Sequence, residues 1–271
     1  GHCRLVGKTT TGICGATLET VQARNFTRAV AAGSASHSDH GRNMALTLIA
    51  VGEGKAPGFQ VKDEKKLRRV AGYLGVPTDK RSTQEIALDV GKVALGEFGK
   101  QEGELLYLKR APQKRQEIWK KLQIGPRGID REVTEAMHRT TMGVDQDAEH
   151  ILTHAMRVAL GDGWGGSMLS TDISDILFGT PTPVMGAFNV GVLKDDEVNI
   201  VIHGHEPTLA ELIVVMASDP DLVKYAESKG SKGINVVGMC CSGNELLMRH
   251  GVPMAGNFLQ SDLIMASGAV E

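Results

Sequence analysis

The hydrophobic pattern of this chain changes along its length and divides it into two regions. Small and apolar residues recur at helical spacing from Ala16 to about Val51, with a candidate break near Gly33. Further helices are predicted over residues 64–74, 83–98, 130–139, 147–160 and 163–178. The pattern therefore predicts a helical domain over residues 16–185, preceded by a polar loop over residues 1–15.

Toward the carboxyl end, short apolar runs alternate with helical segments. The runs Val198–Ile202 and Ile234–Val237 have the composition of strands that are buried on both faces. Helix-forming stretches at residues 208–216 and 222–229 lie between them. This order predicts the first part of a doubly wound α/β domain with a parallel sheet over residues 186–271. Because two parallel strands do not make a stable sheet, the chain is expected to continue beyond this sequence.

Histidine and cysteine motifs follow the two predicted strands. His203 and His205 come directly after the first strand, and Cys240 and Cys241 come after the second. Parallel strands joined by a right-handed crossover place their carboxyl ends at one edge of the sheet, so we expect these side chains to meet there. Thiolates and imidazoles together suit iron–sulfur, nickel, zinc or copper. The alternative is that a strand-end histidine is a hydrogen-bonded core residue, and the spacing favours neither interpretation.

Composition excludes several classes of protein. The chain has 30 Lys and Arg against 32 Asp and Glu, so it lacks the basic surplus of nucleic-acid or membrane-surface proteins. No apolar run approaches the ~20 residues of a bilayer-spanning helix, and no signal-peptide pattern is present, which predicts a cytoplasmic protein. Four cysteines in 271 residues do not make a disulfide scaffold and favour metal ligation or redox chemistry.

Other candidate residues lie in the helical region. His37 and His40 stand at i and i+3 of a predicted helix, where imidazoles can pass a proton; a surface pair is the alternative. Asp162 lies among glycines, as a functional carboxylate or as a helix N-cap. Cys3 and Cys14 are too few to hold a four-cysteine iron–sulfur cluster, and two structural cysteines are equally compatible with the spacing.

Longer motifs carry a family resemblance. They recur in family order across nearly the whole chain: Thr11-Gly12-Ile13-Cys14-Gly15-Ala16, Ala23-Arg24-Asn25, His37-Ser38-Asp39-His40-Gly41-Arg42, Met137-His138-Arg139-Thr140, Asp162-Gly163-Trp164-Gly165-Gly166, Asp175-Ile176-Leu177-Phe178-Gly179-Thr180-Pro181-Thr182-Pro183, His203-Gly204-His205-Glu206-Pro207 and Cys240-Cys241-Ser242-Gly243-Asn244-Glu245. Together they resemble the nickel–iron–sulfur carbon monoxide dehydrogenases.

The resemblance implies an oxidoreductase that catalyses CO + H2O ⇌ CO2 + 2 H⁺ + 2 e⁻. Its cofactors would be a Ni-Fe-S cluster (Ni-4Fe-4S) and [4Fe-4S] clusters. Its partners would be CO, CO2 and water as small-molecule substrates, a ferredoxin-like electron acceptor, a second copy in a homodimer, and an acetyl-CoA synthase subunit. No nucleic acid is expected as a partner. The chain would be an amino-terminal fragment of the catalytic subunit, so that activity belongs to the full-length parent.

The resemblance also implies roles for individual residues. Cys3 and Cys14, in an iron–sulfur-binding loop over residues 1–15, look like two of the four ligands of a relay [4Fe–4S] cluster. His205 looks like the ligand of the iron outside the cubane, and Cys241, with Cys240 as the alternative, like a cluster thiolate. His37 looks like the acid–base histidine, followed on a proton path by His40, and Asp162 like the aspartate that orients a catalytic lysine.

The chain departs from the family pattern in two respects. Some relatives extend the histidine ladder by a turn, where this chain has Asn43, and the remaining cluster ligands are expected beyond Glu271. Two alternatives stay open: a hybrid-cluster hydroxylamine reductase-like enzyme, and a non-catalytic iron–sulfur relative that has lost the nickel ligands.

Overall fold

The structure is a computed structural model that describes residues 11–268. Contacts between Cα atoms divide the chain into two units, Gly1–Ile173 and Ser174–Glu271. The first is helical and the second has a parallel sheet with helices, so the predicted fold class, α followed by α/β, is confirmed. The domain ranges 1–15, 16–185 and 186–271 stay predictions.

The first unit is built from helices and short turns. Its α-helices are α1 Leu18–Gly52, α2 Glu64–Leu74, α3 Thr83–Phe98, α4 Gln113–Leu122, α5 Ile129–Arg139, α6 Ala148–Leu160 and the start of α7 Met168–Phe178. A 3-10 turn covers Leu106–Arg110, and a π-helical turn, Gly161–Ser167, joins α6 to α7. The helix predicted over 163–178 therefore corresponds to α7 together with most of the π-helical turn, and α6, the π-turn and α7 follow one another without a break. Asp162 lies inside the π-turn and does not act as an N-cap.

Helix α1 is the central element of the first unit. Thr17 caps it by accepting a hydrogen bond from the Thr20 amide at 3.2 Å, and the helix continues through Gly33 without the break that its sequence allowed. Its buried face includes Met44, Ala45 and Leu48 and packs against α3, α5 and α6. Burying each large side chain contributes about 1.5–3 kcal/mol, which fixes the rotation of α1 and the face that carries its histidines.

A buried charge cluster fixes α6, the helix that leads into the π-turn. Glu132 is fully buried, accepts hydrogen bonds from Arg127 and Arg157 at 2.9 Å each, and offers its carbonyl to His154 Nε2 at 3.0 Å. Burial alone raises the pKa of Glu132, but the hydrogen bonds from Arg127 and the positive charges of Arg157 and Arg127 together more than offset it, so the pKa is lowered. The carboxylate therefore stays charged and holds α5 and α6 together.

The second unit contains a three-stranded parallel sheet. Its strands are β1 Val198–Ile202, β2 Ile234–Met239 and β3 Met254–Gly256, in the order β1-β2-β3. Its helices, after the end of α7, are α8 Pro207–Ala217, α9 Pro220–Ser228, α10 Cys240–His250 and α11 Ser261–Ala266, with 3-10 turns at Val190–Val192 and Phe258–Gln260. The third strand was missed in the sequence because it is only three residues long.

The register of the sheet aligns the ends of its first two strands. Val198 pairs with Ile234, and Ile202 pairs with Gly238, so both strands finish at the same level. Val237 and Met239 are buried in the core of this unit. Within residues 11–268, no helix has the length and apolar character that crossing a membrane requires.

Candidate functional site

The loops after β1 and β2 meet at the carboxyl edge of the sheet. The amide of Ser242 donates a hydrogen bond to the carbonyl of Gly204 at 2.8 Å. This bond joins the loop that carries His203 and His205 to the first turn of α10, which carries Cys240 and Cys241. The sequence prediction that the two motifs come to one edge is therefore confirmed, whereas their roles as ligands stay predictions.

The turn between β2 and α10 is tightly constrained. Cys240 has φ +54°, in the left-handed region that non-glycine residues avoid, and it is the first residue of α10. A Cβ on Gly243 would lie 2.7 Å from the carbonyl carbon of Gly238, so only glycine lets the helix start this close to the strand. As a result Cys240 is buried while Cys241 is exposed, and the two thiols have different surroundings.

The donor groups at this edge are of the kind that soft metals bind. Burial raises the pKa of the Cys241 thiol, and Cys240 and Glu245 raise it further, so a bound cation would have to displace a proton from it. The Ser242 Oγ is buried and has no hydrogen-bond partner within the described residues. Those same residues contain no group of three or more His, Cys, Asp and Glu able to hold a metal ion. The edge thus fits part of a metal–sulfur site and does not complete one.

Arg249 anchors the segments that carry the two loops. Its guanidinium is 4% exposed and lies 3.1 Å from Asp175, 3.2 Å from Glu211 on α8 and 2.7 Å from Glu245 on α10. Its Nε also donates to the carbonyl of Gly179 at 2.8 Å. Since α8 follows the His205 loop and α10 carries the cysteines, this buried cation fixes one loop relative to the other. The sequence offered no signal for this role.

A second cluster of titratable groups lies in the helical unit. The rings of His37 and His40 on α1 are 5.3 Å apart between centroids. Both carboxylate oxygens of Asp162, on the π-turn, lie 3.0 Å from His37 Nδ1. A carboxylate accepts hydrogen bonds, so Nδ1 carries the hydrogen and the neutral ring has its lone pair on Nε2, as a general base requires. The structure therefore brings His37 and His40 together on one face of α1, as their spacing predicted, and it adds the contact of Asp162 with His37, which the sequence did not predict.

The close approach of α1 to the π-turn depends on a small residue. A Cβ on Gly166 would lie 2.8 Å from Ser38 Cβ and 3.0 Å from the Asp162 carboxylate. Wide π-helical turns occur frequently at functional sites because they shift side chains off the α-helical register. Here the turn places Asp162 against His37. Two further residues in contact with the histidines, Ser167 and Ser170, were missed because serine in a helix carries no specific sequence signal.

The cysteine loop of the first unit is described only in part. Cys14 is half-buried, and its carbonyl accepts a hydrogen bond from the Gln146 side chain at 3.2 Å. Arg24, from a second family motif, contacts the Asp145 carbonyl and lies 3.3 Å from the Gln146 side-chain oxygen. Cys3 lies outside the described residues. The contacts tie the loop at Cys14 and helix α1 to the segment that precedes α6.

The fold and the site together define the class of this protein: a helical unit and a parallel α/β unit that presents cysteines and a histidine at one strand edge. The chain belongs to the Prismane/CO dehydrogenase family, whose model matches residues 1–271. It is 53% identical over 274 residues to carbon monoxide dehydrogenase 1 of Methanosarcina acetivorans, covering 100% of this chain and 44% of that protein. It is 41% identical to the Moorella thermoacetica carbon monoxide dehydrogenase/acetyl-CoA synthase subunit beta, covering 100% of this chain and 41% of that subunit.

Solved structures agree with this assignment. A Ni-free carbon monoxide dehydrogenase from Thermococcus sp. AM4 superposes with a TM-score of 0.90 at 48% identity, covering 97% of this chain and 42% of that one. A structure of acetyl-CoA synthase/carbon monoxide dehydrogenase with NiZn[Fe4S4] and NiNi[Fe4S4] clusters in its alpha subunits also gives 0.90, at 40% identity, covering 100% of this chain and 41% of that one. The chain thus spans less than half the length of these relatives.

Proposed function

We propose that the full-length protein containing this chain is an anaerobic carbon monoxide dehydrogenase, CO + H2O ⇌ CO2 + 2 H⁺ + 2 e⁻. The observation that carries the proposal is the hydrogen bond from the Ser242 amide to the Gly204 carbonyl at 2.8 Å. It supports a shared site for the His205 imidazole and the Cys241 thiolate, two donors that suit a nickel–iron–sulfur cluster. When bound, such a cluster supplies the redox chemistry and the coordination site for CO.

In this proposal the residues of the chain act in two groups. His205 and Cys241 hold cluster iron, with Cys240 as the alternative thiolate, and Cys3 and Cys14 supply two of four ligands to a relay [4Fe–4S] cluster. His37 takes up a proton at Nε2, Asp162 holds its Nδ1–H, and His40 receives the proton next. Asp162 lies 3.0 Å from His37, which supports a role in orienting the base itself in addition to the catalytic lysine that the family resemblance implies.

The proposed assembly follows the relatives. We propose a cytoplasmic homodimer that passes electrons to a ferredoxin-like acceptor. An acetyl-CoA synthase subunit is a further proposed partner, because one relative is a subunit of carbon monoxide dehydrogenase/acetyl-CoA synthase.

The function is tested with the full-length protein, produced and purified without oxygen and supplied with nickel and iron. We expect both metals to be present and CO to reduce a viologen dye. Iron and nickel in place without CO oxidation would support the non-catalytic alternative. Reduction of hydroxylamine in preference to CO oxidation would support the hybrid-cluster alternative.

Replacing His37 by Ala should lower the turnover number strongly without changing metal content. Each cycle releases two protons, and a positioned general base contributes about 10²–10⁴-fold. His37→Gln serves as the matched variant, since it keeps a hydrogen-bonding group beside Asp162 but cannot take up a proton. Both variants are assayed for viologen reduction and for iron and nickel. Loss of metal along with activity would mark His37 as structural.

A further inference from the structure

A serine hydroxyl on α7 contacts the second histidine of the pair. Ser170 Oγ lies 2.7 Å from His40 Nε2, and Ser167 Oγ lies 3.0 Å from His37 Nδ1. Ser170 is 1% exposed, so solvent cannot easily replace its contact with His40. The hydrogen bonds of Ser170 therefore determine how His40 can hold a proton.

Protonation of His40 is restricted to one ring nitrogen. Its Nδ1 contacts the main-chain carbonyl of His37, and a carbonyl only accepts hydrogen bonds. Nδ1 must then carry a hydrogen whether the ring is neutral or cationic. Any proton that His40 gains or loses is gained or lost at Nε2, the atom that Ser170 contacts.

The Ser170 hydroxyl has two acceptors within reach of its single hydrogen. Its Oγ lies 2.7 Å from His40 Nε2 and 3.0 Å from the carbonyl of Ser167. When His40 is neutral, the hydroxyl donates to Nε2. When His40 is cationic, Nε2–H donates to Oγ, and the hydroxyl hydrogen turns to the Ser167 carbonyl. Both protonation states thus keep a full set of hydrogen bonds at Nε2.

The backbone that carries this hydroxyl is firmly held. Asp172, two residues along α7, is buried and lies 3.0 Å from the Nζ of Lys66. Its carboxylate also accepts hydrogen bonds from Tyr107 and Arg110. These contacts fix α7 against the rest of the helical unit, so that rotation of the Ser170 hydroxyl requires no movement of the helix.

We infer that Ser170 is a positioning residue that lets His40 take up and release a proton. Its contribution to turnover rests on the proposed function. His40 takes up one of the two released protons at Nε2, and the Ser170 hydrogen turns to the Ser167 carbonyl. Release of that proton reverses both movements, and no bond between heavy atoms changes. One turn further along α1, Asn43 has no titratable group, which leaves His40 as the last histidine of this ladder.

Charged groups on the neighbouring elements set the background for this titration. Asp39 and Arg42 flank His40 on α1, Asp162 lies on the π-turn, and Asp130 on α5 pairs with Arg42 at 2.7 Å. Replacing Ser170 changes none of these charges. A change in the titration of His40 can then be assigned to the hydroxyl.

The test follows deuterium exchange at C2 of each imidazole, by mass spectrometry against pH, in the full-length protein. In Ser170→Ala the midpoint for His40 should move to lower pH by about 0.5–1 unit, because a hydrogen bond to a charged ring is stronger than one to a neutral ring. Ser170→Thr, which keeps the hydroxyl, should restore it. The turnover number of Ser170→Ala should fall about tenfold, less than for loss of a direct base, with the KM for CO unchanged.

The matched control is Ser38→Ala, another buried serine of this interface, whose hydroxyl donates to the Ala35 carbonyl at 3.4 Å. It should leave the His40 midpoint unchanged. An unmoved midpoint in Ser170→Ala, or an equal shift in Ser38→Ala, would overturn the inference. If the unmodified protein does not oxidise CO, the proposed function fails, and the exchange curves still decide whether Ser170 governs the protonation of His40.

Discussion

His205→Ala is expected to abolish CO oxidation in the full-length protein while leaving the relay cluster intact. In the proposed function the His205 imidazole binds iron directly, so its loss opens a coordination position and releases that iron. Removing a group that only hydrogen-bonds to a metal ligand already lowers metal affinity or activity about 10–100-fold. Removing the ligand itself should lower activity further. Viologen reduction, iron and nickel content, and the spectrum of the relay cluster are measured together.

The neighbouring histidine provides the control. His203 lies in the same loop and is exposed, and the family resemblance gives it no ligand role. His203→Ala should keep both metals and a near-native rate. CO oxidation at a near-native rate in His205→Ala would contradict the assignment, and equal losses in the two variants would indicate that the loop acts only as a scaffold.

Arg249→Met is expected to destabilise the second unit by about 3–5 kcal/mol, because it removes a buried cation that faces two buried carboxylates. Asp175 and Glu211 are each 6% exposed at distances of 3.1 and 3.2 Å. His250 Nε2, 2.6 Å from Glu211, would remain but cannot reproduce the contacts to Asp175 and Gly179. Amide hydrogen exchange of β2 and α10 in the full-length protein should accelerate by roughly 10²–10⁴-fold.

The matched control for this charge removal is Lys232→Met. Lys232 pairs with Asp196 at 2.7 Å, but the two side chains are 76% and 53% exposed. Exposed ion pairs contribute little because water screens them, so we expect no measurable change in exchange. Similar exchange rates in both variants would show that Arg249 does not hold α8 and α10 together.

Sequence patterns located most of the fold because its long elements have clear periodicity. Helix α1 and strands β1 and β2 lie within a few residues of their predicted bounds. The three-residue β3 was missed because hydrophobic alternation cannot be recognised over so short a run. The π-turn Gly161–Ser167 was also missed, because the sequence pattern did not distinguish it from the helix predicted over 163–178.

The candidate site was predictable only where residue type carries chemistry. Histidine and cysteine are recognisable in a sequence, and strand order placed the His205 and Cys241 loops at one edge. Ser170 and Arg249 have common residue types, and their importance comes from contacts between segments distant in sequence. Such contacts depend on tertiary packing, which neither spacing nor composition encodes. The ligand roles of His205 and Cys241 stay predictions.

Helix α1 also sets the distance between the proposed site of electron transfer and the proposed site of proton transfer. It begins four residues after Cys14 and reaches His37 roughly 30 Å further along its axis, at 1.5 Å per residue. Under the proposed function, electrons pass near the first turn of this helix while protons leave near its middle. Helix α1 thus holds the site of electron transfer apart from the site of proton release. Under the proposed function, electron transfer through the Cys14 cluster therefore takes place roughly 30 Å along the helix from the acid–base groups.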